Sequence, residues 1–91
     1  MNKMKLSLVV PCYNEEDNIR DFYHAAKYVF DAEEYEYEIV FINDGSKDKT
    51  QEALESVFNL HEASVVVETF SRNFGKEAAI YAGFQKATEI L

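Results

Sequence analysis

Three short runs rich in apolar and β-branched residues, 5–11 (KLSLVVP), 39–43 (IVFIN) and 64–70 (SVVVETF), alternate with stretches of helical periodicity. Runs of this length, bounded by turn residues, predict strands buried on both faces rather than helices. After the first run, Ile19, Phe22, Ala26, Val29 and Phe30 recur at helical spacing. Asn14 is placed to cap that helix, with Glu15, Glu16 and Asp17 in a first turn whose dipole favours negative charge. Residues 33–38, acidic and interrupted by tyrosines, read as a surface return, although the second strand could start near Tyr37. Asp48 followed by Gln51 resembles a capping box opening a second helix, with Ala53, Leu54, Val57 and Phe58 as its apolar stripe. A third helix over 77–91 would face inward through Ala79, Ala82 or Gly83, Phe84, Ala87 and Leu91. The order β-α-β-α-β-α predicts an α/β fold, a parallel sheet between helical layers (αβα).

The chain has 91 residues, room for one small domain, and a net charge of −8, which argues against nucleic acid and against anionic membrane surfaces. No apolar run approaches the roughly 20 residues that cross a bilayer, and residues 6–10 are too short for the core of a signal peptide. The single cysteine, Cys12, excludes an internal disulfide and fits a reducing compartment, so a cytoplasmic location is expected. The third helix runs to the last residue with no stop signal, and three parallel strands would leave two sheet edges open. Both features lead us to expect the front half of a larger α/β domain, occupying residues 1–91.

Ligands of open α/β sheets bind at the carboxyl ends of the strands. The loops there are Pro11-Cys12-Tyr13-Asn14-Glu15, Asp44-Gly45-Ser46-Lys47-Asp48-Lys49-Thr50 and Ser71-Arg72-Asn73-Phe74-Gly75-Lys76. Four of the nine basic residues (Lys47, Lys49, Arg72 and Lys76) lie in the last two, which suits a phosphate-bearing ligand as well as ordinary solvated loop charge. With only three glycines, the chain has neither G-x-G-x-x-G nor a P-loop. His24 and His61 stand apart from other metal-ligating types, and Cys12 reads as a small buried side chain.

The strand-end motifs P-x-Y-N-E, D-G-S-x-D-x-T and R-N-F-G-K-E-A-A-x-x-A-G, taken in order, resemble the start of a family 2 glycosyltransferase of the GT-A, Rossmann-like fold. The third motif is similar to the branch that uses polyprenyl-phosphate acceptors, such as dolichol-phosphate mannose synthases and bactoprenol glucosyltransferases. The resemblance implies a nucleotide-sugar donor, a UDP- or GDP-hexose, and inverting transfer to a polyprenyl phosphate. It places Pro11 and Tyr13 at the base pocket, where a tyrosine ring can lie against a base face. Glu15 would reach toward the nucleoside, Asp44 would accept a base N–H, and Arg72 and Lys76 would meet the diphosphate. Ser46, Asp48 and Thr50 would shape the second loop and cap its helix.

Each role has a plainer alternative. Tyr13 can simply cover the sheet end, Glu15 can be a first-turn carboxylate, and Asp44 can hold an Asx-turn before Gly45. The family's D-x-D motif, which binds Mg²⁺ or Mn²⁺, is absent from these residues. The fragment alone is therefore expected to be inactive, and any membrane association would belong to a longer protein on the cytoplasmic face. The other reading is a non-catalytic module that self-associates, as a homo-oligomer, through exposed sheet edges.

Overall fold

In a computed structural model, residues 5–87 are described, and they form β1 (Lys5–Cys12), α1 (Ile19–Ala32), β2 (Glu36–Asn43), α2 (Thr50–Phe58), β3 (Ser64–Thr69) and α3 (Lys76–Lys86). The strands form one parallel sheet in the order β1-β2-β3. The register pairs Cys12 with Asn43 and Asn43 with Thr69, so all three strands end flush and their loops leave from one edge. The α/β layering read from the apolar runs is the layering observed.

The central strand shows why a continuous apolar run suits this position. Ile39 and Phe41 point to one face and pack with Ile19, Tyr23 and Ala26 of α1 and Leu54 and Val57 of α2. Val40 and Ile42 point to the other face and meet Ala79 of α3. Two helices therefore cover one face while α3 covers the opposite face over β1 and β2. The chain changes sides between β3 and α3, which puts a crevice beside the carboxyl end of β1. Gly83 permits the close approach of α3, because a Cβ there would stand 2.2 Å from Val9 Cγ1.

Several sequence expectations are corrected. The first helix starts at Ile19 behind Asn18, not at Asn14, and Glu15, Glu16 and Asp17 precede it. The amides of Asn14, Glu15 and Glu16 are held by side chains of the second loop, and Asn14 itself takes a φ of 55°. Residues 36–38 belong to β2 rather than to a surface return; Glu38 is buried and accepts a hydrogen bond from the Ser7 hydroxyl. Tyr23, not Phe22, fills the core position on α1, while Phe22 and Val29 are exposed at 39% and 54%. Phe58 and Phe84 also lie outside the core. The third helix is observed over Lys76–Lys86, Ala87 is buried just beyond it, and Leu91 lies outside the described residues.

Candidate nucleotide site at the strand ends

An open cleft of about 410 Å³ lies at the carboxyl end of β1, lined by Pro11, Cys12, Tyr13, Glu15, Asp44, Asn73, Gly75 and Lys76. Its size falls within the range of small-molecule sites. Five of the six residues singled out from the sequence, Pro11, Tyr13, Glu15, Asp44 and Lys76, meet there. Arg72 does not. It lines a neighbouring cleft with Lys47, Asn43 and Gln51, and its guanidinium carbon sits 5.9 Å from the centre of the Phe74 ring. Tyr13 borders both clefts.

Asp44 organises the site. It is 3% exposed, and its Oδ1 accepts the Phe74 amide at 2.8 Å while Oδ2 accepts the Gly75 amide at 3.0 Å and Asn73 Nδ2 at 3.1 Å. An ionised carboxylate has about four acceptor positions, and the third loop takes three of them here. Asp44 does not hold an Asx-turn: its carboxylate serves the third loop, and the Ser46 amide donates instead to Asn43 Oδ1, three residues back, at 3.2 Å. Gly45 makes the clamp possible. Its φ is +70°, and a Cβ would lie 2.1 Å from the Arg72 carbonyl carbon.

Tyr13 is 41% exposed at the rim. Glu15 is not a first-turn carboxylate; its Oε1 accepts Asn18 Nδ2 at 2.8 Å ahead of α1. Lys76 is the first residue of α3, so a basic residue and the start of a helix stand together at the cleft. Cys12 lies beneath, 2% exposed, and burial, with a smaller contribution from the Glu15 charge, pushes its thiol up to about 12. That thiol stays protonated and is no nucleophile at neutral pH.

Sequence reasoning missed Asn73. Its amide group donates to both the Asp44 carbonyl and the Asp44 carboxylate, each at 3.1 Å, and it lines both clefts. Only its place between Arg72 and Gly75 in the third motif could have marked it. The expected capping box does not form: Lys49, not Asp48, stands at the N-cap of α2. Asp48 Oδ1 accepts the Thr50 amide at 2.9 Å, but Gln51 turns away to accept Asn43 Nδ2 and the Thr69 hydroxyl.

The family model "Glycosyl transferase family 2" matches residues 7–89. The chain belongs to glycosyl transferase family 2. Among its relatives, a prophage bactoprenol glucosyl transferase homolog of Escherichia coli K12 is 49% identical over 85 residues, covering 93% of this chain and 28% of that protein. The bactoprenol glucosyl transferase of Shigella phage SfX is 48% identical over the same share of each. The chain thus spans little more than a quarter of these relatives' length. A mannosyltransferase from Pyrobaculum calidifontis, solved in complex with GDP-Man and Mn²⁺, superimposes with a TM-score of 0.76 at 22% identity, covering 97% of this chain and 26% of that one. The sheet and its helices are therefore those of a glycosyltransferase fold. No described helix is long and apolar enough to cross a membrane.

Proposed function

We propose that the chain is the donor-nucleotide half of a glycosyltransferase that moves a hexose from a UDP- or GDP-sugar to a polyprenyl phosphate. The observation that carries this reading is the convergence of all three motif loops on the cleft at the end of β1. Relatives named as bactoprenol glucosyl transferases support the acceptor, and the GDP-Man in the structural neighbour supports the donor class. In this reading the Tyr13 ring lies against the base and the remaining Asp44 acceptor takes one base N–H. Lys76 and the amides opening α3 draw the diphosphate.

A divalent cation is the group the family resemblance calls for. Among the described residues no three His, Cys, Asp or Glu side chains gather to hold one, and the sequence contains no D-x-D. The residues present do not fit the ion, so no transfer step is assigned to them. The chain's part is to bind and orient the donor, and we expect no turnover by these 91 residues alone.

Titration calorimetry with UDP and GDP tests the reading. Weak binding of one nucleotide is expected, and Tyr13→Ala should weaken it about tenfold through lost stacking. A folded sample that gives no heat with either nucleotide refutes it. The reading as an interaction module rests on the edges of β1 and β3, which pair with no further strand among the described residues, and on exposed Phe22 and Val29 beside Leu8. A concentration-dependent mass in light scattering, together with no nucleotide binding, would favour it instead.

A further inference from the structure

Ser46, Asp48 and Thr50 look locally like turn and cap residues of the second loop, yet their acceptors serve a different part of the chain. Ser46 Oγ accepts the Asn14 amide at 3.0 Å, Thr50 Oγ1 accepts the Glu15 amide at 2.7 Å, and Asp48 Oδ2 accepts the Glu16 amide at 3.2 Å. The exchange is reciprocal. The Lys47 amide donates to Asn14 Oδ1 at 2.8 Å, and the Lys49 amide donates to Glu16 Oε1 at 3.1 Å. Alternate residues of the second loop thus offer side-chain acceptors, and the residues between them offer backbone donors. These partners are 32 to 35 positions apart in sequence.

Thr50 is fully buried, and its hydroxyl donates to Asp48 Oδ1 while accepting from Glu15. The chain of bonds runs from the Asp48 carboxylate through the Thr50 hydroxyl to the backbone of Glu15. Tyr13 immediately precedes the clasped amides, and Glu15 is one of them; both stand at the cleft. A residue that only capped α2 would direct its acceptors to that helix, whereas Asp48 gives Oδ1 to Thr50 and Oδ2 to Glu16.

We propose that Asp48 and Thr50, with Ser46, are positioning residues that fix the backbone of residues 14–16 and so set where Tyr13 and Glu15 stand at the nucleotide cleft. The proposal rests on the nucleotide reading above for its ligand, but its geometric part can be read without any ligand. The test uses the 91-residue chain with Asp48→Asn, Thr50→Val, Thr50→Ser and Ser46→Ala. Asp48→Asn can keep an oxygen toward Thr50 while setting an amide group against the Glu16 N–H. Thr50→Val removes the hydroxyl at nearly constant shape, and Thr50→Ser keeps it.

Amide exchange by NMR is the first readout. In Asp48→Asn and Thr50→Val, the Glu15 and Glu16 amides should exchange about tenfold faster or more, while those of Val40, Phe41 and Ile42 remain protected. Calorimetry with UDP and GDP is the second. Losing one of these bonds should raise Kd about three- to tenfold, and Thr50→Ser should restore both readouts. Ser46→Ala, at a half-buried position, opens the Asn14 amide and replaces Thr50→Val if that variant does not fold. Folded variants whose 14–16 amides exchange as in wild type overturn the proposal. Faster exchange with unchanged affinity overturns it too, leaving only a structural tie. If wild type binds neither nucleotide, the nucleotide reading fails on its own. Exchange at 14–16 and backbone order at Tyr13 then decide the proposal, with unchanged values overturning it.

Discussion

Replacing Gly45 by alanine strikes the point where the second and third loops touch. The residue has a φ of +70°, and an added Cβ would stand 2.1 Å from the Arg72 carbonyl carbon, 2.3 Å from the Asn73 nitrogen and 2.6 Å from the Arg72 oxygen. These are backbone atoms with no rotamer to swing aside, so residues 72–75 must move away from Asp44. The left-handed conformation costs an alanine about 1–2 kcal/mol. Separating the loops breaks at least one hydrogen bond to the Asp44 carboxylate, about 1.5–3 kcal/mol for a charged acceptor. Together the loss is about 2.5–5 kcal/mol, a large part of the roughly 5–15 kcal/mol that holds a typical domain together. Urea unfolding measures it as a fall in midpoint at constant slope. Gly75→Ala is the control. Its φ is +105° but nothing lies within 4 Å of a Cβ there, so only the conformational cost of about 1–3 kcal/mol applies. A Gly45→Ala protein within about 1 kcal/mol of wild type would refute the close approach and, with it, the Asp44 clamp.

Three further outcomes are expected. Among the described residues the buried Tyr23 hydroxyl has no hydrogen-bond partner, so Tyr23→Phe should leave stability unchanged or raise it by about 1 kcal/mol in urea unfolding; a loss of that size would contradict the packing. Cys12, its thiol pushed up to about 12 chiefly by burial, should react slowly with a disulfide reagent at pH 8 in the folded chain and quickly in denaturant. Burial would raise the Asp48 carboxyl, but the Thr50 hydroxyl, the Thr50 amide and the Glu16 amide outweigh it and hold the group below its ordinary value. That stabilisation is complete above the ordinary carboxylate range and is lost as pH falls through the lower folded value. The gap in melting temperature between wild type and Asp48→Asn should therefore be constant near neutrality and shrink below about pH 4; a gap that persists in strong acid would contradict it.

The layers of the fold were legible because β2 is apolar at every position from Ile39 to Ile42, a pattern that only burial on both faces rewards. The strand ends were legible for the same reason, since Pro11, Asp44-Gly45 and Ser71-Arg72 interrupt apolar runs. The start of α1 was not. Asn14 followed by three acids satisfies the local rule for a helix start, but the amides concerned found partners more than thirty residues away, which no local rule registers. Tyr23 was hidden because Phe22 fits the same periodicity, and the open edge of β1 leaves the Phe22 side of the helix exposed. In the site, residue types in the motifs indicated the cleft, yet the bonds Asp44 makes go to the third loop. Arg72 and Lys76, four residues apart in one loop, line different clefts, a separation that the motif's residue types do not encode.

Titration of the ¹⁵N-labelled chain with UDP and with GDP, followed by chemical shift, tests the nucleotide assignment most directly. One of the two should move the resonances of residues 12–15, 44 and 73–76 in a saturable way, leaving those of the α1–α2 face in place. Millimolar nucleotide that moves nothing, or shifts that gather away from the carboxyl end of β1, would contradict the account.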